Sequence, residues 1–192
     1  MKRTAAKERI LRATVETLAK EGYAGTTARA IALRGGFAPG VIYYHFADMD
    51  DLFLATMRYT SGDRLTRYRA RTQGVTSAVE LLGHLRDLFV EDTEGGHIAA
   101  VQELIAGASS RLADEIRGEV LHWRELAEEV ITRVVRGTPF EQLVPARLAA
   151  QAAVAFYLGM EMLNHLEADV DDPASFFAAA NQAAAVLDAI RA

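Results

Sequence analysis

Apolar positions recur at three- and four-residue spacing along almost the whole chain, the pattern of helices that each bury one stripe. Ile10, Leu11, Val15, Leu18 and Ala19 keep that spacing, Arg9, Arg12, Glu16 and Lys20 fall between them, and Gly22 supplies a stop. Thr26 or Thr27 is placed to cap a second, short helix over 28–34, which Gly35 and Gly36 end. Pro39 suits the first turn of a third helix running to about residue 46. Asp48 reads as the cap of a long fourth helix, in which Leu52, Phe53, Ala55, Thr56, Tyr59, Leu65 and Tyr68 hold the period up to the Gln73-Gly74 break. Five more are expected over about 77–91, 98–109, 112–136, 145–167 and 172–191. No stretch alternates with period two between turn pairs, so the expectation is an all-α fold of about nine helices.

Composition narrows the function classes. The chain has no cysteine, which excludes a disulfide scaffold, a thiolate zinc site and a thiol nucleophile. Its longest apolar candidate, over 148–160, is broken by Gln151 and flanked by Arg147 and Glu161, so no membrane span is expected. The basic start, with Lys2, Arg3, Lys7, Arg9 and Arg12, has no apolar core behind it and does not read as a secretory signal; the expectation is a cytoplasmic protein. Residues 1–46 hold eight Lys/Arg and three Asp/Glu, a balance of +5, and the remainder of the 21 and 26 gives thirteen and twenty-three, a balance of −10. A cationic head on an anionic body suits a protein whose head alone meets a polyanion. Uneven scatter of surface charge gives the same arithmetic, and charge alone does not choose. Charge sign and helix length both change near residue 47, which divides the chain into an N-terminal part, 1–47, and a larger helical part, 48–192.

Two short helices joined by a glycine turn, with a third packed behind them, form a helix-turn-helix whose second helix can enter a major groove. Ile31, Ala32, Phe37 and Ile42 supply its small core, and Gly36 the positive φ of the reversal. Thr26 and Thr27 offer hydroxyls near a helix N-terminus, with Arg29 just inside it; Tyr43, Tyr44 and His45 carry donors at the far end of the recognition segment. Ala38, Pro39, Gly40 and Val41 present methyl groups or bare backbone to base edges. Each signal has a bland counterpart in an ordinary cap, turn or core aromatic.

Together, Gly22-Tyr23, Thr26-Thr27, Ile31-Ala32, Gly36, Gly40, Tyr43, His45-Phe46 and Leu52 resemble, in order and spacing, the N-terminal pattern of the TetR family of ligand-responsive bacterial repressors. The resemblance implies a three-helix DNA-binding head on double-stranded operator DNA, a larger helical body holding a small-molecule effector, and a homodimer built largely by the last two helices. Two positions depart from the family pattern. Ala38 stands where a serine usually caps the recognition helix, and Met49 where a lysine usually meets the DNA backbone. Asp48, Asp50 and Asp51 add negative charge nearby, which suits a helix N-terminus but not a phosphate.

In the body, the small residues of the last two helices allow close approach of a second copy, with Ala152, Phe156, Gly159, Leu163, Ala180, Ala184 and Leu187 as the expected dimer interface; packing within a monomer is the other reading. Glu103, Trp123, Tyr157, Phe89, His122 and Met160 are the expected ligand-binding residues, since a pocket of apolar rings with a few polar groups suits a small molecule. Glu80 with His84, Glu161 with His165 and Glu119 with His122 share helix faces, but none forms a His-Glu-x-x-His pattern, and no metal, cofactor or catalytic residue is assigned. A helical-bundle enzyme using His and Glu is the alternative function, and a ligand-insensitive architectural DNA binder the third. Neither accounts for both the head and the long acidic body.

Overall fold

Short-range capping decides where these helices start and stop. The computed structural model describes residues 2–107, 109–143, 145–166 and 173–190. Among them are ten helices and no strand: α1 (Lys2–Gly25), α2 (Ala28–Gly35), α3 (Gly40–His45), α4 (Met49–Thr72), α5 (Ala78–Glu94), α6 (His97–Ala106), α7 (Ser110–Val135), α8 (Phe140–Leu143), α9 (Ala146–Leu166) and α10 (Pro173–Ala189). The helix beyond the expected nine is α8, a single turn after Pro139, too short to show an apolar period. Residue 172, where the last of the expected helices begins, lies outside the described residues. None of the helices is long and apolar enough to cross a membrane, among the described residues.

Thr27 is the cap of α2: its backbone is extended and its hydroxyl accepts the Ala30 N–H at 3.2 Å. Gly36 closes that helix at φ 65°, and the Phe37 N–H reaches back to the Ala32 carbonyl at 3.0 Å. At the start of α4, the Asp48 carboxylate accepts the Asp51 N–H at 2.7 Å, and the Asp51 carboxylate accepts the Ala47 N–H at 3.1 Å. Two acidic side chains thus satisfy amides at one helix end in reciprocal fashion.

The chain divides into two compact units. The first comprises residues 1–64 and 92–119. One of its cores joins Ile10, Leu11 and Ala13 of α1 to Ile31, Ile42, Phe46 and Leu52. The other joins Val15 and Leu18 to Phe53, Leu54 and Met57 of α4 and to Ala100, Val101, Leu104 and Leu112. The residues on α1 that the apolar period picked out therefore serve two cores from one stripe. Thr14 and Thr17 are fully buried beside them, and each donates its hydroxyl within α1, to the Ile10 carbonyl at 2.8 Å and the Ala13 carbonyl at 2.6 Å. A buried ion pair, Arg64 Nε to Asp92 Oδ2 at 2.7 Å, ties α4 to α5 with side chains only 5% and 0% exposed.

The second unit comprises residues 65–91 and 120–192. Its core gathers Tyr68, Ala78, Leu88, Leu126, Val130, Val134 and Ala184. The start of α5 is held from α10, where the Asp188 carboxylate accepts from the Ser77 hydroxyl at 2.6 Å and the Ala78 N–H at 2.8 Å. Arg67 and Arg71, at the end of α4, both pair with Glu91, at 3.2 and 2.8 Å. Neutralisation by a carboxylate of the chain itself is what a cationic helix terminus achieves here.

Candidate nucleic-acid interface

The interface is assembled from the end of α1 onward. Gly22 breaks α1 with φ 71° and ψ 176°, a backbone state that glycine adopts without steric penalty. The break strands the Tyr23 N–H, and Glu103 of α6 takes it: the carboxylate accepts at 2.7 Å. The Tyr23 ring packs 5.0 Å from the Phe53 ring and so close to Gly107 that a Cβ there would stand 2.3 Å from the ring. Burial, with Asp50 adding to it, pushes the Tyr23 phenol above its ordinary pKa. This fixes the strand of chain that delivers Thr26 and Thr27 to the start of α2.

The two threonines part company here. Thr26 is buried, 5% exposed, and its one hydroxyl proton goes to the Gly22 carbonyl at 2.6 Å, so the expected phosphate contact from this side chain is corrected to a structural one. Thr27 is exposed and uses its hydroxyl oxygen as an acceptor, which leaves its proton for an outside acceptor. Arg29, the second residue of α2, is exposed and has no ion pair among the described residues.

The turn into α3 is clamped from α1. Arg9 donates to the carbonyls of Gly35 at 2.9 Å and Gly36 at 2.8 Å, with its guanidinium over the Phe37 ring at 5.7 Å. Ile42 and Phe46 bury the inner side of α3. The outer side is then left to solvent: Ala38, Pro39 and Gly40 are exposed, Val41 and His45 half-buried, Tyr43 56% and Tyr44 72% exposed. No side chain caps α3, as the alanine at 38 leads one to expect. Met49 packs against both cores of the first unit, so where a family lysine would face DNA this chain has a core residue. Asp48 lies 4.0 Å from Arg111, and Asp50 accepts from the Ser109 hydroxyl at 3.3 Å, which sets their charge against α7. One exposed group was missed from the sequence: Leu33, 84% exposed, one turn beyond Arg29 on α2. Its spacing from Arg29 was the available signal.

The expected ligand residues separate. Glu103 is occupied by Tyr23 in the first unit, and His122 is exposed. Phe89, Trp123 and Tyr157 meet in the second unit around Tyr68, which sequence reasoning placed only in a helical stripe. Tyr68 lies edge-on to Trp123 at 4.9 Å and hydrogen-bonds the Tyr157 hydroxyl; Phe89 lies 5.6 Å from Tyr157 and 6.1 Å from Phe177. Met160 is half-buried. Of the expected dimer residues, Ala152, Phe156, Gly159 and Leu163 present one exposed face of α9, and Ala180 is half-buried. Ala184 is corrected: it is buried in the core of the second unit, because α10 turns the face bearing Phe177 and Ala184 inward and leaves Phe176, Val186 and Ile190 exposed, while Leu187 packs half-buried against that core.

A threonine-capped helix, a left-handed glycine turn and a short third helix with its outer side in solvent form a helix-turn-helix, the motif whose second helix enters a major groove. Residues 10–56 match the family model for bacterial regulatory proteins of the tetR family. The chain is similar to the fatty acid metabolism regulator protein of Bacillus subtilis, 23% identical over 144 residues and 74% of each chain. Its fold is similar to that of the fatty acid degradation regulator FadR from Bacillus halodurans, with TM-score 0.78, 21% identity and 93% of both chains covered. It is also similar to FadR from Bacillus subtilis in complex with stearoyl-CoA, with TM-score 0.74, 19% identity and coverage of 94% and 96%. Against other curated regulators the match is confined to shorter stretches, spanning 22%, 28%, 34% and 40% of their lengths.

Proposed function

We infer that the protein is a homodimeric transcriptional repressor that holds a near-palindromic operator and releases it when its body takes up a small molecule. The outward side of the recognition segment, Ala38 to Tyr44, on a head whose inner side is fully packed, carries this reading. An α-helix presented in this way fits the major groove, and the cationic balance of the head supplies the attraction to phosphate. The dimer is supported by the exposed apolar face of α9 and α10. Phe156 and Phe176 lie 4.7 Å apart, with 51% and 39% of their surfaces in water. A contiguous apolar surface of that kind is ordinarily covered by a partner, and a two-fold copy covers it with itself.

The effector is supported as a fatty acyl compound by the likeness to a fatty acid metabolism regulator and to FadR in complex with stearoyl-CoA, and by the aromatic wall of Tyr68, Phe89, Trp123 and Tyr157. Selection of bound sequences from random duplex DNA tests the first step; a near-palindrome supports the reading and failure to enrich any sequence refutes it. Titration of the complex with long-chain acyl-CoA tests the second. Release at micromolar ligand supports an acyl effector, and an undisturbed complex at saturating ligand refutes that class.

A further inference from the structure

Reading DNA bases by hydrogen bond needs particular side chains: Arg or Lys for guanine, Asn or Gln for adenine, Asp or Glu for cytosine. From Phe37 to Ala47 the chain has none of these six residue types. What the outer side of this segment does offer is Ala38 and Pro39, exposed, and Val41, half-buried, with Gly40 between them carrying no side chain at all. The remaining base-edge feature of the major groove is the thymine C5-methyl group, which is recognised by apolar contact. Tyr43 and Tyr44 add one hydroxyl each and the half-buried His45 a ring nitrogen, single points that fix register on a phosphate but lack the two-point geometry that identifies a base.

We propose that the head identifies its operator chiefly through thymine C5-methyl groups packed against Ala38, Pro39 and Val41, so that the contacted steps of each half-site are thymine-bearing and the protein is indifferent to the hydrogen-bonding edge behind the methyl. This rests on the operator-binding reading given above and deepens it by naming the recognised group. The backbone leaves room for such an approach: a Cβ placed on Gly40 meets nothing within 4 Å, and its φ is not positive. The base edge can therefore come down onto the helix between Pro39 and Val41.

The test begins with the sequence selected from random duplex DNA and compares its affinity, at fixed salt, with two chemical variants of the same duplex. In one, deoxyuridine replaces thymidine in the half-sites, removing only the methyl. In the other, 5-methylcytosine paired with guanine replaces a thymine–adenine pair, keeping the methyl and exchanging the hydrogen-bonding groups. Burial of one methyl corresponds to a factor of about four in affinity, so one methyl in each half-site predicts about a sixteenfold loss with deoxyuridine. The 5-methylcytosine duplex retains the affinity within about threefold, less than the loss of one methyl. Equal binding of the thymidine and deoxyuridine duplexes overturns the proposal while leaving operator binding intact, as does a large loss with 5-methylcytosine. Failure to bind any selected duplex overturns both.

The variant Gly40→Gln provides a measurement on the protein side, since the position is sterically open and the folded head tolerates the side chain. An adenine-reading amide placed there shifts the preferred base at one position of each half-site. An unchanged selected sequence overturns the placement of this segment against the base edges.

Discussion

Replacing Glu103 with alanine removes the acceptor that holds the end of α1, and its effect can be worked from the local geometry. The Glu103 carboxylate accepts the Tyr23 N–H at 2.7 Å in a part-buried setting, opposite a glycine whose φ of 71° has already taken that amide out of the helical ladder. A charge-assisted bond of this kind contributes about 1.5–3 kcal/mol net, and an amide left without a partner sits at the upper end of that range. Glu103→Gln keeps a carbonyl oxygen and loses the charge, so about half the effect is expected. For a chain of this size the alanine variant then melts roughly 3–12 °C lower. The consequence for DNA follows from position: Thr26 donates to the Gly22 carbonyl at 2.6 Å and Thr27 caps α2, so the same few residues anchor the helix-turn-helix. Urea unfolding monitored by far-ultraviolet circular dichroism, together with operator binding at a temperature where both proteins are folded, measures the two effects separately. An alanine variant within about 0.5 kcal/mol of the parent, with unchanged slope, means that water satisfies the Tyr23 amide, and the clasp then has no energetic weight.

Three further outcomes are expected. Asp92→Ala, which removes the buried carboxylate that faces the Arg64 guanidinium, destabilises by about 3–5 kcal/mol in the same unfolding assay, whereas the double change Arg64→Met with Asp92→Leu recovers most of the loss; a double variant as unstable as the single one contradicts the pairing. Tyr23 ionises above the ordinary phenol range because burial, and then Asp50, oppose its anion. Its raised folded-state pKa gives a stabilisation that is complete below about pH 10 and lost as pH rises through the folded value; ultraviolet tyrosine titration sees a high-pH component that Tyr23→Phe removes, and an unaltered titration curve rejects the assignment. Phe156→Glu, at a side chain 51% exposed in the single chain, leaves helix content unchanged and yields a monomer at micromolar concentration by sedimentation; a dimer that survives it moves the interface elsewhere.

The head was legible because its signals are local. A threonine cap, a left-handed glycine and an aspartate cap each act within four residues, and Thr27, Gly36 and Asp48 do what their types and places predict. What local signals cannot carry is the choice between equivalent neighbours. Thr26 and Thr27 are the same residue side by side, and only the trajectory imposed by Gly22 decides that one turns inward. In α10 the run Ala178, Ala179, Ala180, Ala183, Ala184, Ala185 places alanine on every side of the helix, so no periodicity marks the buried face; the bulkier Phe177 and Leu187, meeting Phe89 and the second core, set it. Glu103 lies 80 residues from its partner, and Asp92 28 from Arg64, separations at which composition and spacing are silent.

The two departures from the family pattern, read with the structure, point one way. A missing cap at Ala38 leaves α3 without a side-chain hydrogen bond at its start, and the methionine at 49 packs, partly buried, against two cores. On the operator-binding reading proposed above, both changes subtract polar contact with DNA, and Tyr43, Tyr44 and His45 are the donors that α3 keeps. The same reading leaves backbone attraction to Thr27, Arg29 and the basic balance of α1, all of which are indifferent to sequence. On that reading, discrimination among sequences falls to the apolar side of α3 and to the shape of the duplex it enters, and removing one methyl group from the DNA, with the protein left untouched, tests that side directly.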